Sequence, residues 1–482
     1  MEKINQQKKN KPSLYENVES VISESIDNKA FKPGDKLPSI RKLSKQLKVS
    51  ISTIKTAYTH LEDKKIIEAR PQSGFYVCSK LPEIPDEPEI REPEVNPLDI
   101  TKGELVMKIM RDVLDPKKIQ FGAAIPDPKL IPAAKLSKMI GSEAKRYADE
   151  SAQYAMPPGL KRLRVQIAKR LLKTGCAVNP DEIVITDGAT EAVFLALRTL
   201  CRPGDTLAVG TPLYFNFLRM IQELNLNVIE IPSSPREGLS IEALSMALEQ
   251  NTISACLVIA NVNNPLGVTL PDQRKMELVN LLNEHNVPLI EDDINGDLSF
   301  DDERPSVCKS WDTKDNVILC SSFSKTIAPG YRVGWTIPGR YQKKIEQLKM
   351  ITNIASASPT QLAAAEFLMN GGYDHHLRSI RRTYSAKTAQ MAEAAGEFFP
   401  EGTKVTRPDG GFILWAELPP GTDSMKLYTK CWEKNISIAP GSIFSTTDRF
   451  RNCIRLNAAF WSEEKREIMQ KIGKSAHECL IS

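Results

Sequence analysis

The sequence lacks the features that mark a disulfide framework, a metal site or a membrane protein. Its nine cysteines are scattered and never occur in C-x-x-C spacing, which together with their odd number predicts reduced thiols. The five histidines, including the adjacent His375 and His376, form no metal-ligand pattern. No apolar run approaches the roughly 18 residues of a membrane span, and residues 1–11 are too polar for a secretory signal. We therefore expect a cytoplasmic protein without a metal site.

Charge is nearly balanced overall but unevenly distributed along the chain. At 482 residues, the chain is too long for one ordinary hydrophobic core. Residues 1–80 contain 16 Lys and Arg against 9 Asp and Glu, whereas the remainder contains 48 against 51. This asymmetry favours a nucleic-acid-binding head on a nearly neutral body, although a basic solvated surface would give the same count.

The first 65 or so residues show the apolar spacing of three helices. Apolar side chains recur every four positions from Leu14 to Ile26 and predict a first helix with these residues on one face. A second helix opens at Pro38, and a third follows the short turn at Val49-Ser50. Two helices joined by a short turn form a helix-turn-helix, whose second helix enters the major groove of DNA.

Two short strands follow the third helix and predict a β-hairpin wing. They run from Ile66 to Ala69 and from Phe75 to Val77, and a basic tip that begins at Arg70 joins them. The outward residues at the start of the third helix suit contacts to phosphates and base edges; they are Ser52, Thr53 and Lys55.

A proline-rich, acidic segment separates this head from the rest of the chain. Leu81 to Pro97 contains five prolines and six acids, which predicts an extended spacer. Ile100 to Leu114 then suits one amphipathic connecting helix. The predicted domains are therefore a DNA-binding head at 1–80, a linker with its helix at 81–115, and a body at 116–482.

Strand and helix patterns alternate from about Phe121, which predicts an α/β body with a mainly parallel sheet. Its most informative stretch begins with a buried strand at Val317 to Cys320 and continues to Lys325 and Arg332. Lys325 lies on the loop after that strand, where α/β proteins bind ligands.

The chemistry of this loop suits a covalent, phosphorylated cofactor. A lysine beside a second cation has a depressed pKa and can act as an amine nucleophile. Hydroxyls of Ser322 and Ser324, with the guanidinium of Arg332, could hold a phosphate. These features fit pyridoxal 5'-phosphate bound to Lys325 as a Schiff base. A solvated lysine in a serine-rich loop would present the same short motif.

Three other turns suit the same cofactor, and each has a plainer alternative. The turn at Asp187 to Thr190 opens a helix and could bind phosphate through backbone N–H groups, or simply cap that helix. Tyr214 follows a strand and could stack on a pyridine ring or fill the core. Asn264, which precedes Pro265, could bond a ring hydroxyl or form only a turn.

Two charged groups lie on strands that are otherwise apolar. Acids at the carboxyl end of a strand, such as Asp292, are costly unless they are used or paired. A carboxylate there could keep a pyridine nitrogen protonated and make the ring an electron sink. Arg455 on a late strand suits bidentate pairing with a substrate carboxylate, or an internal salt bridge.

The head resembles the winged helix-turn-helix of the GntR family of bacterial regulators. The resemblance is carried by Pro33 to Leu43, Val49 to Tyr58 and Ile67 to Gly74. Ile51 stands where the family often has a basic residue, and isoleucine cannot donate a hydrogen bond to a base. The DNA contacts that the resemblance implies are Arg41, Ser50, Ser52, Thr53, Lys55, Arg70, Ser73 and Gly74.

The body resembles fold type I, class I/II aminotransferases, and the whole chain resembles the MocR subfamily of GntR regulators. The resemblance implies that Lys325 forms the Schiff base and that Asp292 pairs with the pyridine nitrogen. Tyr154 would reach the cofactor phosphate of a partner subunit, and Arg455 would bind the α-carboxylate of an amino acid. The remaining cofactor contacts that it implies are Gly188, Ala189, Thr190, Tyr214, Asn264, Ser322, Ser324 and Arg332.

Together, the residue patterns and these resemblances imply a multidomain bacterial regulator, with an α+β winged helix-turn-helix and an α/β aminotransferase-like body that carries pyridoxal 5'-phosphate. We expect a homodimer that binds a double-stranded operator and senses an amino acid, an amine or the cofactor itself. The alternative is a catalytically competent aminotransferase with an auxiliary DNA-binding head. Ile294 and Asn295 stand where the aminotransferases have a tyrosine, and neither side chain has an acidic proton, which argues against efficient turnover.

Overall fold

The chain folds into two compact units, Met1–Ile84 and Pro85–Ser482, which we call the head and the body. Every cysteine has a free thiol. No helix among the residues that the structure describes is long and apolar enough to span a bilayer. The structure is a computed structural model, which describes residues 14–28, 30–64, 66–70, 73–78, 85–89, 107, 111–112, 115, 117–447 and 449–480.

The head is a three-helix unit with a two-stranded wing. Its helices are α1 (Leu14–Asp27), α2 (Ile40–Leu47) and α3 (Ile51–Asp63), and the antiparallel strands β1 (Ile67–Arg70) and β2 (Gly74–Val77) follow. The predicted helix-turn-helix and wing are confirmed.

Serine side chains set the start of both helices of the helix-turn-helix. Ser39 accepts the backbone N–H of Lys42 and caps α2, and Ser50 accepts the N–H of Thr53 and caps α3. Because each serine satisfies a backbone donor that the helix cannot, the helix begins at the next residue.

The head core lies between α1 and α3. Ile54, Tyr58 and Leu61 of α3 are fully buried and pack with Val18 of α1. Leu14 is the exception on the apolar face of α1, since its side chain is 62% exposed. Leu14 is the first residue of α1 and lies a full turn before Val18, the first buried position.

The body is built on an eight-stranded sheet, as predicted for an α/β protein. Its strands lie in the spatial order β4, β11, β10, β9, β8, β5, β6 and β7. The pairs from β10 through β6 are parallel, whereas β11 is antiparallel to both of its neighbours and β7 is antiparallel to β6. In chain order these strands are β4 (Val184–Thr186), β5 (Thr206–Thr211), β6 (Asn227–Ser234), β7 (Gly238–Leu239), β8 (Ala255–Val258), β9 (Leu289–Asp292), β10 (Val317–Ser322) and β11 (Gly334–Ile337).

A second, antiparallel sheet lies later in the body, in the order β12, β13, β16, β15. Its strands are β12 (Lys404–Val405), β13 (Ile413–Glu417), β15 (Ala439–Pro440) and β16 (Cys453–Asn457). A two-stranded parallel sheet pairs β3 (Ile119–Gln120) with β14 (Ile436–Ser437).

Helices surround these sheets and bury them. Strands β8, β9 and β10 are buried at every position, which is typical of parallel strands covered on both faces. The helices of the body are α4 (Ala133–Arg146), α5 (Ala148–Ala152), α6 (Lys161–Leu171), α7 (Ala189–Leu200), α8 (Phe215–Glu223), α9 (Ile241–Gln250), α10 (Asp272–Glu284), α11 (Gln342–Asn353), α12 (Ser358–Met369), α13 (Gly372–Phe398), α14 (Ser424–Glu433) and α15 (Arg466–Leu480).

Residues 85–89, which we call the strap, pack on the body. The carbonyl of Asp86 accepts the N–H of Val405 at 2.7 Å, and the carboxylate of Glu87 accepts the N–H of Arg407 at 3.0 Å. Glu87 also forms an ion pair with Arg236, in the turn between β6 and β7. The strap therefore bridges the edge of the small sheet and the edge of the large one.

The composition of Leu81 to Pro97 predicted an extended spacer, and its five described residues are extended but not free. Asp86 and Glu87 accept N–H groups at the edge of the small sheet, and Pro88 beside them is buried. The predicted helix over 100–114 lies almost entirely outside the described residues.

We predict that Ile54→Ala destabilises the head by about 2–5 kcal/mol, because it removes a fully buried side chain. The matched control is Ile51→Ala on the same helix, where the side chain is 55% exposed, and we expect a change below about 0.5 kcal/mol. Hydrogen exchange of amides in the head measures both. Equal protection in the two variants would contradict the packing described here.

Candidate cofactor and DNA-binding sites

A pocket lies at the carboxyl edge of the parallel strands, where the loops after β5, β8, β9 and β10 meet. Because β9 and β10 run parallel with Asp292 beside Cys320, the loops that follow them leave the sheet on the same side. The pocket brings together eight of the residues predicted to bind the cofactor, namely Ala189, Thr190, Tyr214, Asn264, Asp292, Ser324, Lys325 and Arg332.

Lys325 reaches into this pocket in a form suited to nucleophilic chemistry. Its Nζ donates a hydrogen bond to the carbonyl of Ala124 at 2.6 Å. Burial lowers the pKa of Lys325 to about 8, with a further lowering from Arg455 and Arg332, while Asp292 opposes the shift. A larger fraction of this amine is therefore neutral near pH 8 than for an exposed lysine.

Asp292 ends β9 with no basic side chain within salt-bridge distance among the described residues. Burial raises its pKa to about 7, although a hydrogen bond from the N–H of Ile294 at 3.1 Å favours the charged form. A carboxylate this deeply buried gains from any cationic N–H placed beside it, which is what a protonated pyridine nitrogen offers.

The turn before α7 and the side chain of Arg332 form a tight anion cradle. Gly188 has φ +86° and precedes α7, whose first N–H groups have no partner within the helix. Arg332 donates to the carbonyl of Asp187 at 2.6 Å and to Ser324 at 3.3 Å. A Cβ at Gly188 would overlap the Arg332 guanidinium, so the close approach requires glycine.

Arg455 is a fully buried cation with amide and carbonyl partners in place of a carboxylate. It donates to the side-chain oxygen of Asn264 at 2.9 Å and to the carbonyl of Gly122. Its Nε has no hydrogen-bond partner among the described residues, and burial lowers its pKa to about 10. An unsatisfied donor on a buried guanidinium is costly, which suits a site that receives an anionic ligand.

Three other predicted cofactor residues do not form the wall of this pocket. Ser322 is buried, and its hydroxyl accepts the N–H of Ser324 at 3.2 Å. Gly188 lies behind Arg332, as described above. Tyr154 is 75% exposed on the surface of its own body and does not line its own pocket.

Tyr214 lines the pocket beside two phenylalanine rings. Its ring lies 4.9 Å from that of Phe215 and 5.4 Å from that of Phe217, and burial raises its pKa. Asn295, which stands near the position of the expected tyrosine, donates its side-chain amide to the carbonyl of Val262 at 3.0 Å. The side-chain amide of Asn295 therefore already donates a hydrogen bond to the loop that follows β8.

Several wall residues were not predicted as site residues. Ala124, whose carbonyl holds Lys325, is positioned by Asn457, which donates to the carbonyls of Ala123 and Ile125 at 2.6 and 2.8 Å. Asn457, a polar residue on the same buried strand as Arg455, was the sequence signal that could have indicated this contact. The other missed wall residues are Phe217, Ile259, Val262, Pro329, Gly411, Phe412 and Ile413.

The residues predicted to contact DNA lie at the start of α3 and on the wing. Ser50 forms hydroxyl–hydroxyl hydrogen bonds with Ser52 at 2.7 Å and with Thr53 at 2.8 Å. Lys55 and Arg41 are exposed on α3 and α2. The start of α3 therefore presents the hydroxyls of Ser52 and Thr53 near the exposed ammonium group of Lys55.

The wing presents a second, partly neutralised basic group. Arg70 stacks on the ring of Tyr76 at 4.3 Å and pairs with Glu68 at 2.7 Å. Ser73 shares a hydrogen bond of 2.6 Å with the hydroxyl of Tyr76, and Gly74 has φ +108° at the start of β2. The rest of the predicted tip, residues 71–72, lies outside the described residues.

A winged helix-turn-helix and a fold type I aminotransferase-like body together define a bacterial transcription regulator of composite architecture. Residues 14–77 match the family model "Bacterial regulatory proteins, gntR family", and residues 117–472 match "Aminotransferase class I and II". The chain belongs to the GntR family of bacterial regulatory proteins, with the MocR arrangement in which the body is a class I/II aminotransferase domain.

Relatives at full length support this membership. The chain is 37% identical to the HTH-type transcriptional regulator YjiR of Escherichia coli (strain K12), over 97% of this chain and 99% of that protein. It is 36% identical to YdcR of the same strain, over 97% and 99%. The structure of a Pyrococcus horikoshii kynurenine aminotransferase superposes with a TM-score of 0.73 at 29% identity, over 78% of this chain and 95% of that one.

Membership of this family implies pyridoxal 5'-phosphate as the cofactor, and the residues present fit it. The turn at Gly188 beside Arg332 suits an anion, Lys325 supplies a buried amine, and Asp292 supplies a buried acid. The residue roles that this fit suggests are proposals, developed below.

We predict that the cofactor-free protein reacts with pyridoxal at a rate that rises with pH and is half-maximal near pH 8. The reason is the pKa of Lys325, which is lowered to about 8 from an ordinary 10.5, so that the neutral amine accumulates earlier. The growth of visible absorbance over a pH series measures this rate. A midpoint near 10.5 would show that the amine is not perturbed.

We predict that Lys55→Ala weakens binding to a mixed-sequence DNA duplex and reduces the slope of log affinity against log salt by about 0.9, one phosphate contact. Lys64→Ala is the matched control, because Lys64 follows the C-terminal end of α3 and pairs there with Glu19. Fluorescence anisotropy across a salt series measures both slopes. An unchanged slope for Lys55→Ala removes Lys55 from the contact surface.

Proposed function

We propose that this regulator senses an amino acid, an amine or pyridoxal 5'-phosphate in the body and changes its affinity for operator DNA in response. The observation that carries the proposal is Arg455, a buried cation with an unsatisfied Nε, which donates to Asn264 in the wall of the candidate cofactor pocket. A body used only as a scaffold would gain nothing from burying an unsatisfied donor there.

Each residue of the pocket takes a role that its geometry suits. Pyridoxal phosphate, when bound, supplies an electrophilic carbon and an electron-withdrawing ring. Lys325 would anchor it covalently, and Asp292 would keep its ring nitrogen protonated. Asn264 would bond the ring hydroxyl, and Tyr214 would stack on the ring. The backbone at Ala189 and the side chains of Thr190, Ser324 and Arg332 would hold the phosphate, with Gly188 and Ser322 shaping the two loops.

Arg455 favours an effector that carries a carboxylate. Its guanidinium presents a planar fork of donors, which matches a carboxylate better than any single acceptor. A carboxylate bound by Nε and one terminal nitrogen would compete with Asn264 or Gly122 for that terminal nitrogen, which would couple ligand binding to the loop at Asn264. An amine without a carboxylate would leave this cation unpaired and bind more weakly.

The strap offers a route from the pocket to the linker. Glu87 accepts the N–H of Arg407, at the start of the loop whose later residues Gly411 and Phe412 line the pocket. Asp409, in the middle of this loop, accepts the N–H of Thr269, which follows the loop that carries Asn264. A ligand can shift the head only through different affinities for two states of the body, and this loop touches both ligand and linker.

We also propose that the protein is a cytoplasmic homodimer. Segment 153–156 runs beside segment 354–358, joined by a bridge between Ala155 and Ser356. Tyr154, Ile351 and Ile354 are 75%, 81% and 44% exposed on or beside these segments. Exposed apolar groups so close together are typical of an interface, and in a dimer Tyr154 would reach the phosphate of the partner subunit.

The second candidate, a working aminotransferase, is favoured by the completeness of the Lys325 and Asp292 pair. Asn295 counts against efficient turnover, because its amide is committed to Val262 and it offers no acidic proton near the ring. Both candidates bind the cofactor, and they differ in what a bound amino acid does to it.

The test is a titration of the holoprotein with a panel of amino acids and amines, read by visible absorbance and by affinity for an operator selected from random duplexes. We expect one class of amino acid to shift the absorbance band and change operator affinity together. Lys325→Ala should lose both responses while keeping its fold, and Lys344→Ala, on the surface of α11, should keep both.

Each other outcome decides against a named reading. Conversion of the band to the pyridoxamine form, without a change in operator affinity, would favour the aminotransferase over the sensor. An unchanged spectrum in Lys325→Ala would refute the assignment of the anchoring lysine. A change in operator affinity without any visible band would refute a cofactor-dependent sensor.

A further inference from the structure

Lys349 of α11 is a buried lysine directed at the back of the turn that holds the proposed phosphate site. Its side chain is 2% exposed, and its Nζ donates to Glu191 at 2.8 Å and to the hydroxyl of Ser356 at 2.9 Å. A carboxylate oxygen of Asp187 is 4.0 Å away. Both acids of the turn are therefore neighbours of this ammonium group.

Glu191 fixes the shape of that turn. It lies in the first turn of α7, directly after the Ala189 and Thr190 backbone, and accepts the N–H of Asp187 at 2.6 Å. The side-chain amide of Asn353 in α11 donates to Asp187 and, at 2.7 Å, to Glu191. The carboxylate thus orders the turn, but it also brings a negative charge to a place that must accept an anion.

Lys349 balances this charge. Asp187 and Glu191 contribute two negative charges around the turn, and Lys349 and Arg332 contribute two positive charges. Without Lys349 the same group would carry a net negative charge before a phosphate arrived. Repulsion between like charges is strong in a partly buried site, where solvent screens little.

We infer that Lys349 is a positioning residue for the phosphate-binding turn. It neutralises Glu191, so that this acid can order the backbone at Asp187 without repelling the phosphate of the ligand. The inference rests on the proposed function, because it concerns the phosphate of the same cofactor. A buried ion pair that merely stabilises the fold would instead affect all ligands of the pocket alike.

The test compares pyridoxal phosphate with pyridoxal, which lacks the phosphate, in Lys349→Met and in the wild-type protein. We expect the variant to lose about tenfold in affinity for pyridoxal phosphate and less than about twofold for pyridoxal. Lys344→Met is the matched control on the same helix; Lys344 donates to the carbonyl of Thr199, far along α7 from the turn. Equilibrium dialysis gives the affinities.

A second change separates charge from structure. Combining Lys349→Met with Glu191→Gln removes both charges, and glutamine can still accept the N–H of Asp187. We expect this double variant to recover most of the lost affinity for pyridoxal phosphate. Equal losses for the two ligands, or no recovery in the double variant, would overturn the inference.

Glu191→Gln alone decides the matter if Lys349→Met does not fold. With Lys349 kept, it should bind pyridoxal phosphate at least as tightly as the wild-type protein, and weaker binding would overturn the inference. A wild-type protein that binds the two ligands equally would instead refute the phosphate cradle of the proposed function. The two failures are therefore distinguishable.

Discussion

The body depends on ionisable groups buried at one edge of its parallel sheet without enough opposite charge to neutralise each of them. Lys325 and Arg455 both have lowered pKa values there, and Asp292 has a raised one, chiefly because burial penalises their charged forms. Much of the surrounding structure holds these groups in place, including the carbonyl of Ala124 under Lys325. A ligand that brings an anion and a cationic nitrogen would reduce the cost of burying these charges. Ligand binding is therefore expected to stabilise the loops at this edge.

The sequence predicted the parts of the site that follow directly from strands. Asp292, Tyr214 and Lys325 each end or closely follow an apolar run, and parallel strands deliver their carboxyl ends to one edge. Their convergence was therefore foreseeable from periodicity, and the order of motifs along the chain pointed to the family. The serine caps of α2 and α3 were foreseeable for a similar reason, because capping is decided within a few residues.

What escaped prediction is held by contacts between distant parts of the chain. The carbonyl of Ala124 carries no side-chain signal, and its position depends on Asn457, far along the sequence. Lys349 occurs in a helix with two other lysines, and only its burial against Glu191 distinguishes it. Composition indicated that residues 81–97 cannot build a core of their own, but it could not say that residues 85–89 pack on the small sheet of the body.

The strap also determines where the body can be cut from the rest of the chain. A fragment that begins at residue 116, where the alternation of strands and helices suggests a start, lacks Asp86 and Glu87. Val405 in β12, the outermost strand of the small sheet, and Arg407 just after it would then present N–H groups without these partners. Open edges of this kind recruit strands from other molecules. A fragment of the body that resists aggregation should therefore begin before Pro85, so that the strap still covers the edge strand β12.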